Sequence, residues 1–365
     1  MKELPLYKQI QHQLKELILS GKLRPGDRIP SENELAEYFN VSQITSKQAI
    51  MALVDENIII RIKGKGSFVA GRNGTDILQS LNSGFKGIIG LVFPSIYMTV
   101  ESMMFYHLQS MLHEKGYQTL IRVTDDNINK EMEAIRMFQL FGVRGFIIFP
   151  VINENYNDEI LRLSLNRFPH VLIDRYLPNI TNSSITSDNV MGARDVVRYL
   201  LDSGHKCISF ISQSDTNSVT HDRIIGFEKA FTEKDLPIDK RYWLFVKRDN
   251  RSNKEQDLAV KTKLHEYFER HPGVTAILAV DTIIARLAYA VLSEMGKAIP
   301  KDIVLVSFDD PKLPFVPFVQ QDMIEIAKRS VGLLISQMED EYKFRRELVP
   351  MQFVSDVQYP LSSSI

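Results

Sequence analysis

Hydrophobic and polar positions fall into two regimes that change over near residue 87. In the first, apolar residues recur at helical spacing. Residues 7–20 place Ile10, Leu14, Leu17 and Ile18 on one face and predict a helix ending at Gly21. The stretch Arg24-Pro25-Gly26-Asp27-Arg28-Ile29-Pro30 is turn chemistry. Ser31-Glu32-Asn33-Glu34 is a capping box, with the serine oxygen taking a backbone N–H while Glu34 reaches back, and it predicts a short helix over 31–39. Asn40 ends that helix and Ser42 caps the next, over 43–57. There Ala49, Ile50, Leu53 and Val54 face inward, while Gln43, Thr45, Ser46 and Lys47 crowd the exposed N-terminal end. Two short helices so closely spaced predict a helix-turn-helix. Ile58-Ile59-Ile60-Arg61-Ile62 is β-branched and predicts a strand, Lys63-Gly64-Lys65-Gly66 a basic hairpin tip, and Ser67-Phe68-Val69 the return strand. Residues 1–70 are therefore expected to form an α+β winged helix-turn-helix. Residues 71–86, with Gly, Asn and Ser and little periodicity, are expected to be a linker.

From residue 87 short apolar runs alternate with amphipathic helical segments. The predicted strands are 88–93, 118–123, 145–149, 170–174, 207–211, 242–246, 274–280 and 303–308. Near-continuous apolar strands separated by helices predict parallel sheets covered on both faces. Residues 87–365 exceed one compact sheet, so two α/β lobes are expected.

Composition narrows the class without changing the fold. A chain of 365 residues, 44% hydrophobic and 24% charged, has ample core for a folded protein. No apolar run is long enough for a transmembrane helix. Met1-Lys2-Glu3-Leu4-Pro5 lacks the basic-then-apolar pattern of a signal peptide, so a cytoplasmic protein without membrane contact is expected. The lone Cys207 excludes an intramolecular disulfide and a cysteine-based zinc site. No spacing of His, Asp and Glu points to a metal, and no cofactor is expected. Net charge is −1, divided as +3 over residues 1–72 and −4 over the rest, which points to nucleic acid at one end only.

Residues 1–70 resemble the DNA-binding domain of the GntR family of bacterial regulators. The resemblance rests on Pro25-Gly26-Asp27-Arg28, on Pro30-Ser31-Glu32, Glu34-Leu35-Ala36, Val41-Ser42, Ala49 and Leu53, and on the wing Gly64, Gly66-Ser67-Phe68-Val69. Residues 87–360 resemble the sugar-binding domain of LacI/GalR repressors, a two-lobed fold of periplasmic-binding-protein type. That match rests on Pro169, Val171, Ile173-Asp174-Arg175, Asp188-Asn189, Gly204-His205, Arg223, Gly226-Phe227, Ala276-Ile277, Ile299-Pro300, Asp302-Ile303 and Ser307-Phe308-Asp309-Asp310. The combination is similar to arabinose-type repressors. It implies a sugar-responsive repressor that holds operator DNA as a homodimer and is released by a small sugar, with L-arabinose as first choice. Activation, dual regulation or another carbohydrate are the alternatives.

At the DNA end the resemblance implies contacts from Thr45 and from Gln43 and Lys47, which stand where the GntR pattern usually has arginine. Glutamine pairs with adenine where arginine prefers guanine, so the operator is expected to shift toward A·T pairs. Lys63, Gly64, Lys65 and Gly66 would set the wing against phosphates or the minor groove, and Arg28 would clamp a phosphate. A solvated hairpin tip is the plainer reading of the two lysines taken alone. Gly64-Lys65-Gly66-Ser67 is no P-loop, because it lacks the upstream glycine and leads into a strand.

Ligands of open α/β sheets bind beyond the carboxyl ends of strands, where Asp174, Asp281 and Asp309 stand. Carboxylates accept paired bonds from sugar hydroxyls, and an arginine such as Arg223 donates several in a fixed fork. The resemblance implies effector contacts from Asp174, Arg223 and Asp309, and from Asp281 although Thr282 replaces the family's following aspartate. It also implies a stacking ring from Phe105. Each aspartate serves equally well as a helix N-cap, and Arg223 alone as a surface ion-pair partner. The family's aromatic after strand 242–246 is replaced by Lys247-Arg248-Asp249-Asn250. An enzyme acting on sugars would need a nucleophile or metal site that the sequence does not offer. Asp309-Asp310 are adjacent and expected to point apart, unlike a glycosidase pair. Gly87 and Gly90 are too few for a dinucleotide fingerprint.

Overall fold

The computed structural model describes residues 5–20, 22–56, 58–70, 85–151, 156–213, 217–247, 254–339 and 342–355. The N-terminal module has three helices, α1 (Leu6–Leu19), α2 (Glu32–Tyr38) and α3 (Gln43–Asp55), then the antiparallel hairpin β1 (Ile59–Ile62) and β2 (Gly66–Val69). Ser31 accepts from the Glu34 amide at 3.2 Å while the Ser31 amide donates to the Glu34 carboxylate at 2.7 Å, completing the capping box. Ser42 caps α3. Ile10, Leu14, Leu35, Ala49, Ile50, Leu53, Ile59 and Val69 close one small core, with Ile18 and Val54 at its margin. The Ile29 amide donates to the Ser67 carbonyl and the Val69 amide to that of Asp27, so the turn before α2 runs beside β2 like a third strand. The expected linker falls on residues 71–84, outside the described residues, and on Phe85 and Lys86.

The C-terminal body carries two six-stranded sheets. One has the order β13-β7-β6-β5-β3-β4, built from β3 (Gly87–Phe93), β4 (Tyr117–Val123), β5 (Gly145–Ile148), β6 (His170–Ile173), β7 (Ser184–Ser187) and β13 (Arg346–Val349). The other has the order β14-β12-β11-β10-β8-β9, from β8 (Ile208–Ser212), β9 (Trp243–Phe245), β10 (Ala276–Ala279), β11 (Val304–Phe308), β12 (Phe318–Gln320) and β14 (Gln352–Val354). Every predicted strand is present, within two residues or so at each end. The pairs β13–β7, β7–β6, β6–β5, β12–β11, β11–β10, β10–β8 and β8–β9 are parallel, and the β12–β14 edge is antiparallel. Buried Val, Ile, Leu and Phe on both faces of the second sheet form two apolar layers.

Four strands escape the sequence pattern. β7 reads Ser-Ile-Thr-Ser, all buried, and β12, β13 and β14 are three or four residues long. These strands flank the three points where the chain passes between the sheets, after β7, after β12 and after β13. Ser187 donates to the Gln321 side chain at 2.8 Å, and the Asp188 amide to the Val349 carbonyl at 2.8 Å, which ties the three passages together.

Candidate functional site

In the N-terminal module a groove is lined by Arg28, Ser31, Glu32, Gln43, Lys63, Gly64 and Gly66, among others. Five of the eight residues expected at DNA therefore share one surface. Gly64 and Gly66 have φ of +78° and +120°, and a Cβ on Gly66 would come within 3.1 Å of the Arg28 Nε. Glycine there lets the guanidinium lie across the hairpin. Lys47 and Lys65 are exposed, and neither lines the groove. Thr45 is half-buried, its hydroxyl 2.8 Å from that of Ser42, so it also serves the cap of α3. Two residues escaped the sequence reading. Arg61 pairs with Glu32 at 2.7 Å and offsets the one carboxylate in the groove. Ile44 stands 79% exposed in the first turn of α3, between Gln43 and Thr45.

In the C-terminal body a cavity of about 780 Å³, its lining a mixture of charged and apolar side chains, opens beyond the carboxyl ends of the strands. Its lining includes Asp174, Arg223, Asp281 and Asp309, four of the five expected effector residues. Phe105 is the exception. It lies on α4 (Thr99–Glu114) with its ring edge-on to Phe93 at 6.1 Å, and the aromatic residue lining the cavity is Phe149 instead.

Arg223, on α8 (Ser218–Thr232), is 5% exposed, so the surface ion-pair reading fails. Its Nε donates to the Asn189 Oδ1 at 2.8 Å, its Nη1 donates to the Val280 carbonyl, and its guanidinium lies 3.6 Å over the Phe308 ring. Burial lowers its pKa to about 10, against the pull of Asp309, Asp174 and Asp281, and it stays charged near neutrality. Asp174 and Asp309 are both raised by burial, Asp174 against the charges of Arg175 and Arg223, Asp309 against Arg223 and the Gln321 hydrogen bonds. Neither is a helix cap. Asp309 accepts from Gln321 Nε2 at 2.7 Å, which couples it to the passage after β12. Asp281 is the N-cap of α10 (Thr282–Glu294), accepting from the Ile283 and Ile284 amides while Gln213 donates to its other oxygen at 3.0 Å. The cap reading of Asp281 therefore holds, while the residue also lines the cavity.

Asp310 also borders the cavity, but its carboxylate pairs with Lys312 at 2.6 Å, apart from the Gln321 bonds of Asp309. His221 is exposed and does not line the cavity. Arg175, missed as a site residue, donates to the Pro150 carbonyl at 2.8 Å and lies 4.8 Å over Phe149. Arg248, Asp249 and Asn250 lie outside the described residues. Among those described, no helix is long and apolar enough to cross a membrane.

Residues 6–69 match the model of the gntR family of bacterial regulatory proteins, and residues 197–355 that of the periplasmic binding protein-like domain. An arabinose metabolism transcriptional repressor of Geobacillus stearothermophilus is 27% identical over 343 residues, 92% of this chain and 91% of that one. Another, from Halalkalibacterium halodurans, is 28% identical over 356 residues, 93% and 91% of the two chains. The crystal structure of a LacI family transcriptional regulator from Enterococcus faecium with bound ribose matches with a TM-score of 0.60 at 21% identity, covering 73% of this chain and 97% of that one. This chain accordingly carries a gntR-type helix-turn-helix domain and a periplasmic-binding-protein-like domain, and the proteins it is similar to are transcriptional regulators, not enzymes.

Proposed function

We propose that the protein is a sugar-responsive repressor that binds operator DNA as a homodimer and releases it on binding a small sugar, L-arabinose. The observation that carries this reading is the cavity in which Arg223, Asp174, Asp281 and Asp309 converge beyond the strand ends. Two of the five guanidinium N–H groups of Arg223 are taken by Asn189 and Val280, and the rest suit ligand oxygens. The carboxylates accept from vicinal hydroxyls. The similarity to two arabinose metabolism repressors over most of the chain favours a pentose and a repressor over an activator.

At the other end, the groove and the first turn of α3 suit a duplex. Gln43 fits adenine, Ile44 a thymine methyl, and Lys47, Lys63, Lys65 and Arg28 phosphates. Net charge of +3 over residues 1–72 is small for one module, which favours a dimer on a two-fold operator. Sugar shifts the equilibrium only by its differential affinity for the two states, and tenfold release needs about 1.4 kcal/mol. Calorimetric titration with L-arabinose tests the cavity. Micromolar binding by the wild type and at least tenfold loss in Arg223→Ala are expected; equal binding by both would refute the assignment.

A further inference from the structure

Glu101 sits in the first turn of α4, is 5% exposed, and lines the ligand cavity. Its Oε2 has no hydrogen-bond partner. Arg175, the cation whose charge bears on it, is already engaged, donating to the Pro150 carbonyl and lying 3.7 Å from Asp174. A carboxyl oxygen buried without a hydrogen-bond partner is costly, and the backbone amide of Glu101 and the charge of Arg175 compensate it only in part. The missing partner is one that a ligand can supply. Charge in the cavity points the same way: carboxylates outnumber cations in its lining by six to four.

Building on the sugar-responsive reading, we infer that Glu101 is a ligand-contacting and specificity-determining residue, its carboxyl group accepting from a sugar hydroxyl or ammonium and disfavouring phosphorylated or acidic sugars. A carboxylate accepts more strongly than a neutral acid. Glu101 titrates at about 7, raised first by burial and further by Asp174 and Asp126, and held down by Arg175 and its own backbone amide. Ligand affinity therefore rises as pH passes upward through neutrality and this group ionises.

Calorimetry on the full-length protein with L-arabinose, D-glucosamine and D-ribose 5-phosphate, at pH 6 and pH 8, tests this. At least one of the first two sugars binds, and the phosphate binds tenfold more weakly or worse. Affinity for the preferred sugar rises from pH 6 to pH 8 in the wild type and stays flat in Glu101→Gln. Glu101→Leu loses about tenfold at pH 8, in keeping with a lost charge-assisted bond. Both variants melt at a higher temperature than the wild type at pH 8, because the uncompensated charge is gone; a purely structural carboxylate would give the opposite shift. Tightest binding by the phosphate, unaltered affinity in both variants, or no binding of either uncharged or cationic sugar overturns the inference. Operator binding by the wild type, measured alongside, separates the two levels. DNA released only by the phosphate overturns the role of Glu101 and leaves the regulator, whereas absence of DNA binding with sugar binding intact does the reverse.

Discussion

Asp174 and Asp309 each follow a strand with a left-handed backbone, φ +64° and +58°. Aspartate and asparagine tolerate that region better than other side chains with a Cβ. Asp309→Asn is thus expected to keep the fold while sugar affinity falls about tenfold, by weakening a charge-assisted bond. Asp309→Val, which strains the same backbone, is expected to lose stability as well, by about 1–3 kcal/mol in chemical denaturation. Equal stability of the two variants would contradict a left-handed Asp309.

Two buried titratable groups set opposing pH dependences. Glu101 rises from 4.5 to about 7 on burial, so the folded state loses stability as pH climbs through that window. His170, deep between Ser164 and Phe168, falls from 6.5 to about 4, so the folded state loses stability as pH drops through that one. Each amounts to about 3 kcal/mol at 1.36 kcal/mol per unit, and they offset each other where the windows overlap. Glu101→Gln is expected to unmask His170, giving a denaturation midpoint that climbs steadily between pH 4.5 and 6.5. A midpoint as flat as the wild type's would contradict the pair. The positions of Asp174 and Asp309 at the cavity were legible in the sequence because each stands at the carboxyl end of an apolar strand, although a helix cap was an equal alternative that the structure removes for these two. Glu101 was not, because an acid in the first turn of a helix is ordinary in sequence. Only its burial and its unpartnered oxygen set it apart.

At the scale of elements, the N-terminal module follows its local signals closely. The Ser31 box, the Ser42 cap and the periodicities of α1 and α3 each name a boundary that the structure keeps to within about two residues. Ser31→Ala should cost about 1 kcal/mol, through loss of the box, read as a lower midpoint of the helix-turn-helix transition. Lys47→Ala is expected to weaken operator binding on all sequences and to reduce the salt slope by about one phosphate. Ile44→Ser should weaken binding mainly where thymine faces α3. The strands that escaped notice lacked such signals. β7 has serines and a threonine at buried positions, and the hydroxyls of Ser187 at its end and of Ser183 just before it meet Gln321 and Gln337 side chains from distant sequence. Partners 134 and 154 residues away leave no local trace.

For the whole molecule, the alternation of strands and helices announced two lobes, but not the exchange of β13 and β14 between them. That exchange brings three passages together under the cavity, with Asp309 bonded to Gln321 and Gln321 to Ser187. If Asp309 holds the ligand as proposed, that ligand would lie beside the region through which the two sheets are joined covalently. The charge division, +3 at one end and −4 over the rest, was visible from the start and fits a chain that meets DNA with one module only. The central claim is most directly tested by fluorescence anisotropy of the purified protein on its own upstream DNA, at fixed salt, with and without L-arabinose. Nanomolar binding that L-arabinose weakens at least tenfold, and that Arg223→Ala retains in the presence of the sugar, is the expected result. Tight binding that no monosaccharide relieves, or relief that persists in Arg223→Ala, would contradict it.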